Sequence, residues 1–432
     1  MSLKVKIMKI LLILSHLKAK NYLFSKFVIT SSFPTLTLEQ LVSITPDKYE
    51  VEYVDERLEN VDFNWDGDIV GISTLTLNAN HAYEIADEFR RRQKTVVLGG
   101  YHPSALPKEA KQHADAVVIG EAEISWPQLL HDYENKNLKP FYKSKPVDPN
   151  IIPSPTRLPE FFTSEGIVQA TRGCQYRCKY CTVQIVEGAN FRMRPIKKVI
   201  EEIKSLKRNR FIFADSSVTI NSNYTKQLFQ EMIGLNKKFS CYGNINVLKN
   251  DKELLRLAND AGCEQWLIGF ESINQETLNC IGKKTNKVED YAIAVKKIRD
   301  YGMTIMGLFM FGFDTDKKDV FDSTLEAIYK MNLERAGFAI LTPFPGTALF
   351  NEFEKENRIL TRDWSKYNLR NVVFRPKNMS IEQLLNGRNL IAKEFYSFSN
   401  CLRRSFRDEN PSIDRLKNRI VGDYFINRFI RI

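Results

Sequence analysis

Residues 166–181 read GIVQATRGCQYRCKYC, in which an apolar run leads into a Cys-x3-Cys-x2-Cys triad formed by Cys174, Cys178 and Cys181. With 7 Cys in 432 residues, chance supplies this spacing roughly 0.002 times per chain, so the triad predicts a metal or cluster site. Three thiolates on one short loop leave one iron of a four-iron cluster without a protein ligand, and chemistry can take place at that iron. Zinc is the alternative, but it usually takes four protein ligands, and the next thiol downstream is the distant Cys241.

The cysteine loop also carries a family resemblance. A strand followed by Cys-x3-Cys-x-aromatic-Cys, with Tyr180 as the aromatic residue, resembles the radical S-adenosylmethionine (SAM) superfamily. The resemblance implies a [4Fe-4S] cluster whose free iron binds SAM, and cleavage of SAM to a 5′-deoxyadenosyl radical by an electron from the cluster. It also implies an external electron donor of the flavodoxin or ferredoxin type.

Length and composition are those of an ordinary globular protein with two or three domains. The chain has 432 residues, of which 43% are hydrophobic and 27% charged. The start, MSLKVKIMKILLILSHLKAK, is similar to a signal peptide, but its apolar run is short and no small-residue cleavage site follows, so we expect a first buried strand. No segment reaches the ~18 apolar residues of a membrane span. Unpaired cysteines and an oxygen-sensitive cluster favour a reducing compartment, so a cytoplasmic location is expected.

The formal net charge of +11 predicts an acidic partner, such as a nucleic acid, an anionic membrane surface or an acidic substrate, without choosing between them. From Cys401 to Ile432, eight Arg and Lys residues stand against four acids and are interleaved with Phe, Tyr and Ile. This tail is interpreted either as a solvated helical face or as a surface for peripheral contact with a membrane or a partner. A nucleic acid is the partner that we expect least.

The first 145 residues alternate apolar strands with amphipathic helices, which predicts a Rossmann-like, doubly wound parallel sheet. The predicted strands are Lys9–Leu14, Glu50–Val54, Asp68–Ser73, Thr95–Gly99 and Asp115–Gly120. The predicted helices are Leu36–Ile44, His81–Arg91, Pro107–His113 and Ile124–Tyr133. Such a sheet binds ligands at the carboxyl ends of its strands.

The loops at those ends give a second resemblance. GISTLT, VLGGYHPSALP and ADAVVIGEAE, in this order before the cysteine loop, resemble the cobalamin-binding domain of one large radical SAM subfamily. A vestigial or purely structural domain is the alternative. None of the five histidines has a Gly three residues on, so no His is expected on cobalt, and His102 is read either as a turn residue or as a donor to the corrin. The resemblance implies that cobalamin contacts Thr74, Leu75, Thr76, Gly99, Gly100, Tyr101, His102, Gly120 and Glu121.

A linker rich in Pro, at residues 146–165, is followed by six further strand-helix units. Their strands are predicted at Ile167–Thr171, Phe211–Ala214, Phe239–Gly243, Glu264–Phe270, Met303–Phe311 and Ala336–Leu341. Their helices are predicted at Ile196–Lys207, Tyr224–Ile233, Lys252–Ala261, Val288–Tyr301, Lys317–Lys330 and Thr347–Glu356. Six units fit the partial (β/α)6 barrel of radical SAM proteins, in which reactive groups gather at the carboxyl ends of the strands.

Polar residues interrupt the apolar runs at several of these strand ends, where a buried polar group needs a partner. By resemblance, such positions contact SAM, and with Tyr180 they are Asp215, Asn244, Asn246, Glu271, Ser272 and Gly312. The alternative interpretation of Asp215 and of Asn246 is a helix N-cap. Glu271 is the strongest candidate, because a carboxylate directly after an apolar strand is costly unless it binds something polar. No residue is assigned an acid-base role.

Two further features complete the prediction. PFPGTALF, from Pro343 to Phe350, is similar to a turn of the same subfamily and serves either as scaffold or as part of the substrate cavity. The four other cysteines show no cluster spacing, so one cluster is predicted.

The resemblance implies a cobalamin-dependent radical SAM methyltransferase that moves the methyl group of methylcobalamin to an unactivated carbon of a lipid, peptide or protein. Two alternatives stay open: a ring-forming or oxidative enzyme of the same family without methyl transfer, and a zinc- or nucleic-acid-binding module that is not an enzyme. The expected domains are a cobalamin-binding domain at 1–145, the linker at 146–165, the radical SAM barrel at 166–357 and a mainly helical, substrate-selecting region at 358–432.

Overall fold

A computed structural model of the protein describes residues 7–16, 35–158 and 165–405, which form two parallel β-sheets with helices packed against them. The strands of the first sheet are β1 (Lys9–Leu14), β2 (Glu50–Asp55), β3 (Ile69–Ser73), β4 (Thr95–Gly99), β5 (Ala116–Ile119) and β6 (Phe141–Lys143). The helices beside them are α1 (Thr37–Ile44), α2 (Ala79–Arg91), α3 (Tyr101–Ala105), α4 (Pro107–His113) and α5 (Ala122–Glu134).

The first sheet has the strand order β2-β1-β3-β4-β5-β6 and is parallel throughout. Its alternate residues enter two separate cores, since Leu11 and Ile13 pack with α2 while Ile10 and Leu12 pack with α1 and α5. Helices therefore cover both faces, and the predicted doubly wound sheet is confirmed. The sequence pattern missed α3 and β6 because both are short, and only Tyr142 of β6 is buried.

The second sheet forms an open arc of six parallel strands in the order β14-β13-β12-β11-β10-β7. The strands of this half are β7 (Gly166–Val168), β8 (Thr171–Arg172), β9 (Arg192–Met193), β10 (Arg210–Phe213), β11 (Lys238–Tyr242), β12 (Cys263–Glu271), β13 (Thr304–Phe311) and β14 (Arg335–Ile340). Its helices are α6 (Val183–Val186), α7 (Ile196–Ser205), α8 (Ser222–Met232), α9 (Ile245–Leu248), α10 (Lys252–Asp260), α11 (Gln275–Cys280), α12 (Tyr291–Asp300), α13 (Val320–Met331) and α14 (Ala348–Lys355). Because β7 and β14 do not pair, the barrel is partial, as predicted.

The predicted strand Ile167–Thr171 is interrupted in the structure. Its first part is β7, which pairs with β10, and its last residue belongs to β8, which forms a separate two-stranded antiparallel hairpin with β9. The cysteine loop and α6 lie between the two strands of that hairpin. The cysteine loop is therefore connected to the β8–β9 hairpin and not directly to a strand of the barrel.

The C-terminal region continues with two more helices, α15 (Ile381–Phe395) and α16 (Phe398–Ser405), so its mainly helical character is confirmed for the described part. Its aromatic residues Trp364 and Tyr367 are buried in the same core as α2 of the first sheet. Arg404 lies over the Phe395 ring with its guanidinium carbon 3.8 Å from the ring centroid. The rest of the basic tail, and any surface contact that it makes, lies outside the described residues.

Contacts cross between the two halves at the Pro-rich segment as well. The Arg157 guanidinium lies 2.6 Å from Glu39 of α1 and 2.7 Å from Glu202 of α7. All three side chains are largely buried, so one arginine ties the first sheet to the barrel. None of the helices in the described ranges combines the length and the apolar character that crossing a bilayer requires.

Candidate active site

The cysteine loop is held in a tight turn at its base. Gly173 has φ +81°, and a Cβ at this position would lie 2.2 Å from the Asn190 carbonyl oxygen, so only glycine fits. The Cys174 backbone N–H donates to the Gly188 carbonyl across the loop. The sequence thus requires Gly before the first cysteine for a steric reason.

The three cysteines of the triad are free and partly exposed, and their sulfurs lie near enough to influence one another. Burial raises the pKa of Cys178, and burial also raises the pKa of Cys181 to about 11, with the other two cysteines adding to the effect. A thiolate in such a place needs a nearby positive charge, which cluster iron supplies. Within the described ranges, no three His, Cys, Asp or Glu side chains are grouped to hold a single metal ion. A four-iron cluster takes each thiolate at a different iron, so the donor set fits a cluster.

Asp215, at the end of β10, anchors the residues that lead into the cysteine loop. Its carboxylate accepts hydrogen bonds from the Ala170 N–H at 3.1 Å, the Thr171 N–H at 2.5 Å and the Thr171 hydroxyl at 2.5 Å. Burial raises the pKa of Asp215 to about 7, although the hydrogen bonds from Ala170 and Thr171 favour the carboxylate form and act to lower the pKa. We expected this residue to contact SAM or to cap a helix, and the structure directs its oxygens to the backbone before the loop.

Glu271 ends β12 in a strained conformation beside the cysteines. It has φ +64°, which is uncommon for a residue other than glycine, and the pairing of β12 with β13 shifts register at this point. Its carboxylate lies 2.9 Å from the ammonium of the largely buried Lys283, and it is near enough to Tyr180 to affect the pKa of that phenol. Burial raises the pKa of Tyr180, and Glu271 raises it further. Two predicted SAM residues, Tyr180 and Glu271, are thereby brought together next to the cluster loop.

Lys283 is a site residue that the sequence did not reveal. Burial lowers its pKa, but nearby Glu271 and the Cys178 and Cys181 sulfurs raise it by more, so the ammonium form is favoured. The adjacent Gly282 carbonyl lies 3.7 Å from Cys178 Sγ. In sequence, Lys283 is one of two lysines after a short helix and has the pattern of an ordinary surface residue.

The remaining predicted SAM contacts differ in their surroundings. The side-chain amide nitrogen of Asn244 is buried without a hydrogen-bond partner among the described residues, as expected of a group that awaits a ligand. Asn246 is exposed on α9. Ser272 accepts a hydrogen bond from the Asn274 N–H in a local turn. Gly312 has φ +106°, and a Cβ there would lie 2.9 Å from Leu384 of α15, so it permits close packing of the C-terminal region.

On the first sheet, five of the predicted cobalamin residues, Thr74, Leu75, Thr76, Gly99 and Gly100, lie at the carboxyl edge. Thr74 donates its backbone N–H to Gly99 at 3.0 Å, and Thr76 is buried beside it in a short 3-10 turn. Gly100 has φ +98°, and a Cβ there would lie 2.7 Å from the Thr74 carbonyl. Leu75 is 47% exposed at this edge. Glycines that leave the backbone accessible, together with the exposed apolar side chain of Leu75, fit a large, flat cofactor that lies across the strand ends.

His102 does not face that edge. It is fully buried, its Nε2 lies 3.1 Å from Glu109 Oε1, and its ring centroid lies 5.0 Å from that of Trp364. Trp364 Nε1 also donates to Glu109, and Tyr83 does the same from the other side. His102 is thus part of the packing between the first sheet and the C-terminal region, although its Nδ1 has no partner among the described residues.

Tyr101, Gly120 and Glu121 bring the first sheet next to the cysteine loop. Burial raises the pKa of Tyr101, and Cys181 is among the groups near enough to influence it. Gly120, with φ +84°, turns the chain after β5 and donates its N–H to Ser104. The Glu121 carboxylate contacts Arg172 and Arg192 of the β8–β9 hairpin, so both of its oxygens are occupied by protein groups.

The turn PFPGTALF packs onto the same region. A Cβ at Gly346 would lie 3.1 Å from Ile185 of α6 and 3.2 Å from Ala105 of α3. The Thr347 side chain accepts from the Phe350 N–H and begins α14. Leu349 donates its N–H to the Lys179 carbonyl inside the cysteine loop. These contacts are those expected of a scaffold, one of the two roles predicted for this turn.

A cavity of about 300 Å³ opens at the opposite, amino-terminal end of the barrel strands. It is lined by charged residues that include Arg210, Lys238 and Glu264. No residue predicted to bind a cofactor is among those that line it. The cavity thus lies away from the cluster loop.

Comparisons with family models agree with the two halves. Residues 168–328 match the radical SAM superfamily, and residues 41–130 match the B12-binding domain. The chain is 32% identical to the bacteriochlorophyllide d C-12(1)-methyltransferase of Chlorobaculum tepidum, over 85% of this chain and 84% of that protein. It is 34% identical to the bacteriochlorophyllide d C-8(2)-methyltransferase of the same organism, over 88% of this chain and 89% of that protein.

Solved structures share the fold at lower identity. The methyltransferase TsrM from Kitasatospora setae, with cobalamin and a [4Fe-4S] cluster bound, matches at a TM-score of 0.64 and 18% identity, covering 81% of this chain and 75% of that chain. The cobalamin-dependent radical enzyme OxsB, with aqua-cobalamin and SAM bound, matches at a TM-score of 0.72 and 14% identity, covering 99% and 72%. In this chain the B12-binding match precedes the radical SAM match, which is the order predicted from the sequence.

Proposed function

The chain belongs to the cobalamin-dependent radical SAM methyltransferases, and on that premise we propose that its substrate is a tetrapyrrole methylated at carbon. The observation that carries the proposal is the identity of 32% and 34%, across most of both proteins, to two enzymes that methylate bacteriochlorophyllide d. A net charge of +11 is in keeping with a substrate that carries carboxylates. These relatives favour a tetrapyrrole over the lipid or peptide expected from the sequence.

The cofactors of this family are a [4Fe-4S] cluster, SAM and cobalamin, and when bound they supply the radical and methyl-transfer chemistry. We assign the cluster to the cysteine triad and the adjacent SAM site to Tyr180, Asn244 and Glu271. The unpartnered Asn244 amide and the strained, buried Glu271 carboxylate support this assignment.

For cobalamin we assign the carboxyl edge formed by Thr74, Leu75, Thr76, Gly99 and Gly100. The work of these chain residues is to bind and orient the cofactors and to exclude water. Ser272 and Gly312 have local contacts that account for them without a ligand, and His102 packs between the first sheet and the C-terminal region.

The electron donor is assigned to the flavodoxin or ferredoxin type, which is acidic. Arg177, Lys284 and Lys287 are exposed beside the cysteine loop, and the Arg177 carbonyl lies 3.8 Å from where a Cβ of Gly282 would stand. None of the three cations forms an ion pair within the part of the chain that the structure describes. They supply a positive surface close to the cluster on which an acidic donor can dock.

The proposed function is tested with anaerobically reconstituted protein, SAM, methylcobalamin and a one-electron reductant. Bacteriochlorophyllide d, a hopanoid extract and a peptide mixture are offered in parallel, and products are weighed by mass spectrometry. A gain of one methylene unit on the tetrapyrrole alone supports the proposal. A methylated hopanoid or peptide would refute the tetrapyrrole, and a tetrapyrrole product without added carbon would point to the ring-forming chemistry named in related cyclases. A Cys178→Ala variant serves as the control without a cluster.

A further inference from the structure

Two arginines face each other at the base of the cysteine loop. In the antiparallel β8–β9 hairpin, Arg172 is paired directly with Arg192, so the two side chains lie on the same face. Like charges directly opposite each other on a hairpin are destabilising. The ribbon that carries the cluster loop therefore needs a counter-charge at this position.

Glu121, at the start of α5 in the other domain, supplies that charge. Its Oε1 lies 3.0 Å from Arg172 Nη1 and 3.0 Å from Arg192 Nη2, and its Oε2 lies 2.8 Å from Arg192 Nη1. Oε2 also accepts the Val147 N–H of the linker at 2.6 Å. The Glu121 side chain is 3% exposed, and those of Arg172 and Arg192 are 9% and 12% exposed.

Neighbouring groups fix the same arrangement. The second amino group of Arg172 lies 2.7 Å from Glu123, in the first turn of α5. Glu187, before the second hairpin strand, accepts the Gly173 N–H at 2.8 Å while its carbonyl accepts from Arg192 at 2.6 Å. Two carboxylates and the Glu187 backbone carbonyl thus contact the two guanidinium groups, and each guanidinium is held by more than one partner, which restricts its geometry.

We infer that Glu121, Arg172 and Arg192 form a domain clamp that positions the cysteine loop against the cobalamin-binding domain. Glu121 follows the end of strand β5 by two residues, and Arg172 precedes Cys174 by two residues. A shift of the clamp therefore moves the cluster relative to the cobalamin edge. The inference rests on the proposed function, since it concerns the separation of two cofactors that the family binds.

The separation of the cofactors matters because both must reach one substrate carbon. A misplacement of about 1 Å in a pre-organised site costs on the order of 100-fold in rate. A linker alone does not fix the relative position of two domains to about 1 Å, since domains within one chain move relative to each other by default. A buried ion cluster with fixed bidentate geometry gives the contact one preferred register.

The test uses the two cofactors as spin labels in the holoenzyme. The reduced cluster and cob(II)alamin are both paramagnetic, so pulsed dipolar electron paramagnetic resonance measures the distance between them. This measurement does not require the enzyme to turn over. The variants are Glu121→Gln, which removes the charge and keeps the shape, and Arg192→Gln, which leaves Arg172 paired with Glu123. The control is Glu264→Gln, which breaks the exposed ion pair with Arg210 at the far end of the barrel.

Wild type and Glu264→Gln are expected to give one narrow distance distribution. Glu121→Gln and Arg192→Gln are expected to bind both cofactors with a broadened or displaced distribution, and to release more 5′-deoxyadenosine per methylated product. An unchanged distribution in both variants would overturn the clamp and leave the proposed function intact. Loss of the cluster in both variants, with the control intact, would also overturn the clamp. The arginines would then stabilise only the cysteine loop, and they would not set the position of the two domains. A wild-type protein that binds neither cofactor would instead refute the proposed function.

Discussion

Replacing Asp215 by Ala removes the acceptor that holds the backbone leading into the cysteine loop. The carboxylate receives hydrogen bonds from the Ala170 N–H, the Thr171 N–H and the Thr171 hydroxyl, at 3.1, 2.5 and 2.5 Å. The two backbone donors lie in a buried segment where no other acceptor for them is found among the described residues, whereas the hydroxyl can rotate. Asp215→Ala therefore leaves two unsatisfied buried N–H groups.

Each unsatisfied buried donor costs about 1–3 kcal/mol, so the two together cost about 2–6 kcal/mol. Removing a fully buried carboxylate returns part of that cost, because burial disfavours its charged form and raises the pKa of Asp215 to about 7. The net destabilisation expected is about 2–4 kcal/mol. Asp215→Asn retains one acceptor oxygen, and about half of that loss is expected.

The pH dependence has a definite sign. An acid whose folded-state pKa lies above its unfolded value of 3.8 stabilises the folded protein most at low pH and loses that contribution as the pH rises to about 7. The free energy of unfolding of the wild type should contain this downward slope between about pH 4 and pH 7, and Asp215→Asn should lack it.

Denaturant unfolding of the variants, followed with the iron content of the reconstituted protein, separates two roles of Asp215. If Asp215 anchors the loop, the variants should show both a lower unfolding midpoint and a lower iron content than the wild type. If Asp215 instead contacts SAM directly, the role expected from the sequence, the variants should bind SAM more weakly while their stability and iron content stay unchanged. The second pattern would refute the anchoring role.

Three further substitutions have matched controls or a defined sign. Cys181→Ala should abolish cluster assembly because the triad loses a ligand, whereas Cys280→Ala, an exposed cysteine outside the triad, should keep the full iron content, and equal iron in both would contradict the ligand assignment. Gly100→Ala should destabilise the protein by about 1–3 kcal/mol and reduce cobalamin retention, because its Cβ meets a backbone oxygen at 2.7 Å, whereas Gly234→Ala has a similar positive φ with nothing within 4 Å and should show only the backbone penalty. Lys283→Met should lower the cluster reduction potential because a buried cation stabilises the more negative reduced state, and potentiometry that finds no change would place Lys283 too far from the cluster to act on it.

Strand and helix positions were predictable because the local spacing of apolar residues along the sequence indicates them. The parallel strands of both sheets are short apolar runs separated by amphipathic helices, and β1 (Lys9–Leu14) and β4 (Thr95–Gly99) match their predicted limits. The cysteine triad was predictable for a different reason, since its spacing within one loop is itself the chemical requirement. Elements with little buried surface, such as β6, left no such signal.

Side-chain partners that come from distant parts of the chain were not predictable. Glu121 and Arg172 are 51 residues apart in sequence, and no pattern in either segment shows that they meet. The place of Lys283 in the site follows only from its contact with Glu271, and the anchoring role of Asp215 follows only from the donors around it. A residue at a strand end is marked by the sequence as buried and polar, but whether its partner is a ligand or the protein depends on tertiary packing.

The same contacts explain why the two domains of this enzyme cannot be treated as independent cofactor holders. The cluster loop depends on Asp215 of the barrel for its entry and on Glu121 of the cobalamin-binding domain for the charge balance at its base. Removing the first domain would leave Arg172 facing Arg192 without the carboxylate between them, which is a costly state for a two-residue ribbon. A truncated barrel also loses Glu123, so Arg172 keeps neither of its carboxylate partners from the first domain. This double loss, unlike Glu121→Gln alone, should impair cluster assembly even with all three cysteines present, because a ligand set binds only where the backbone that carries it is ordered.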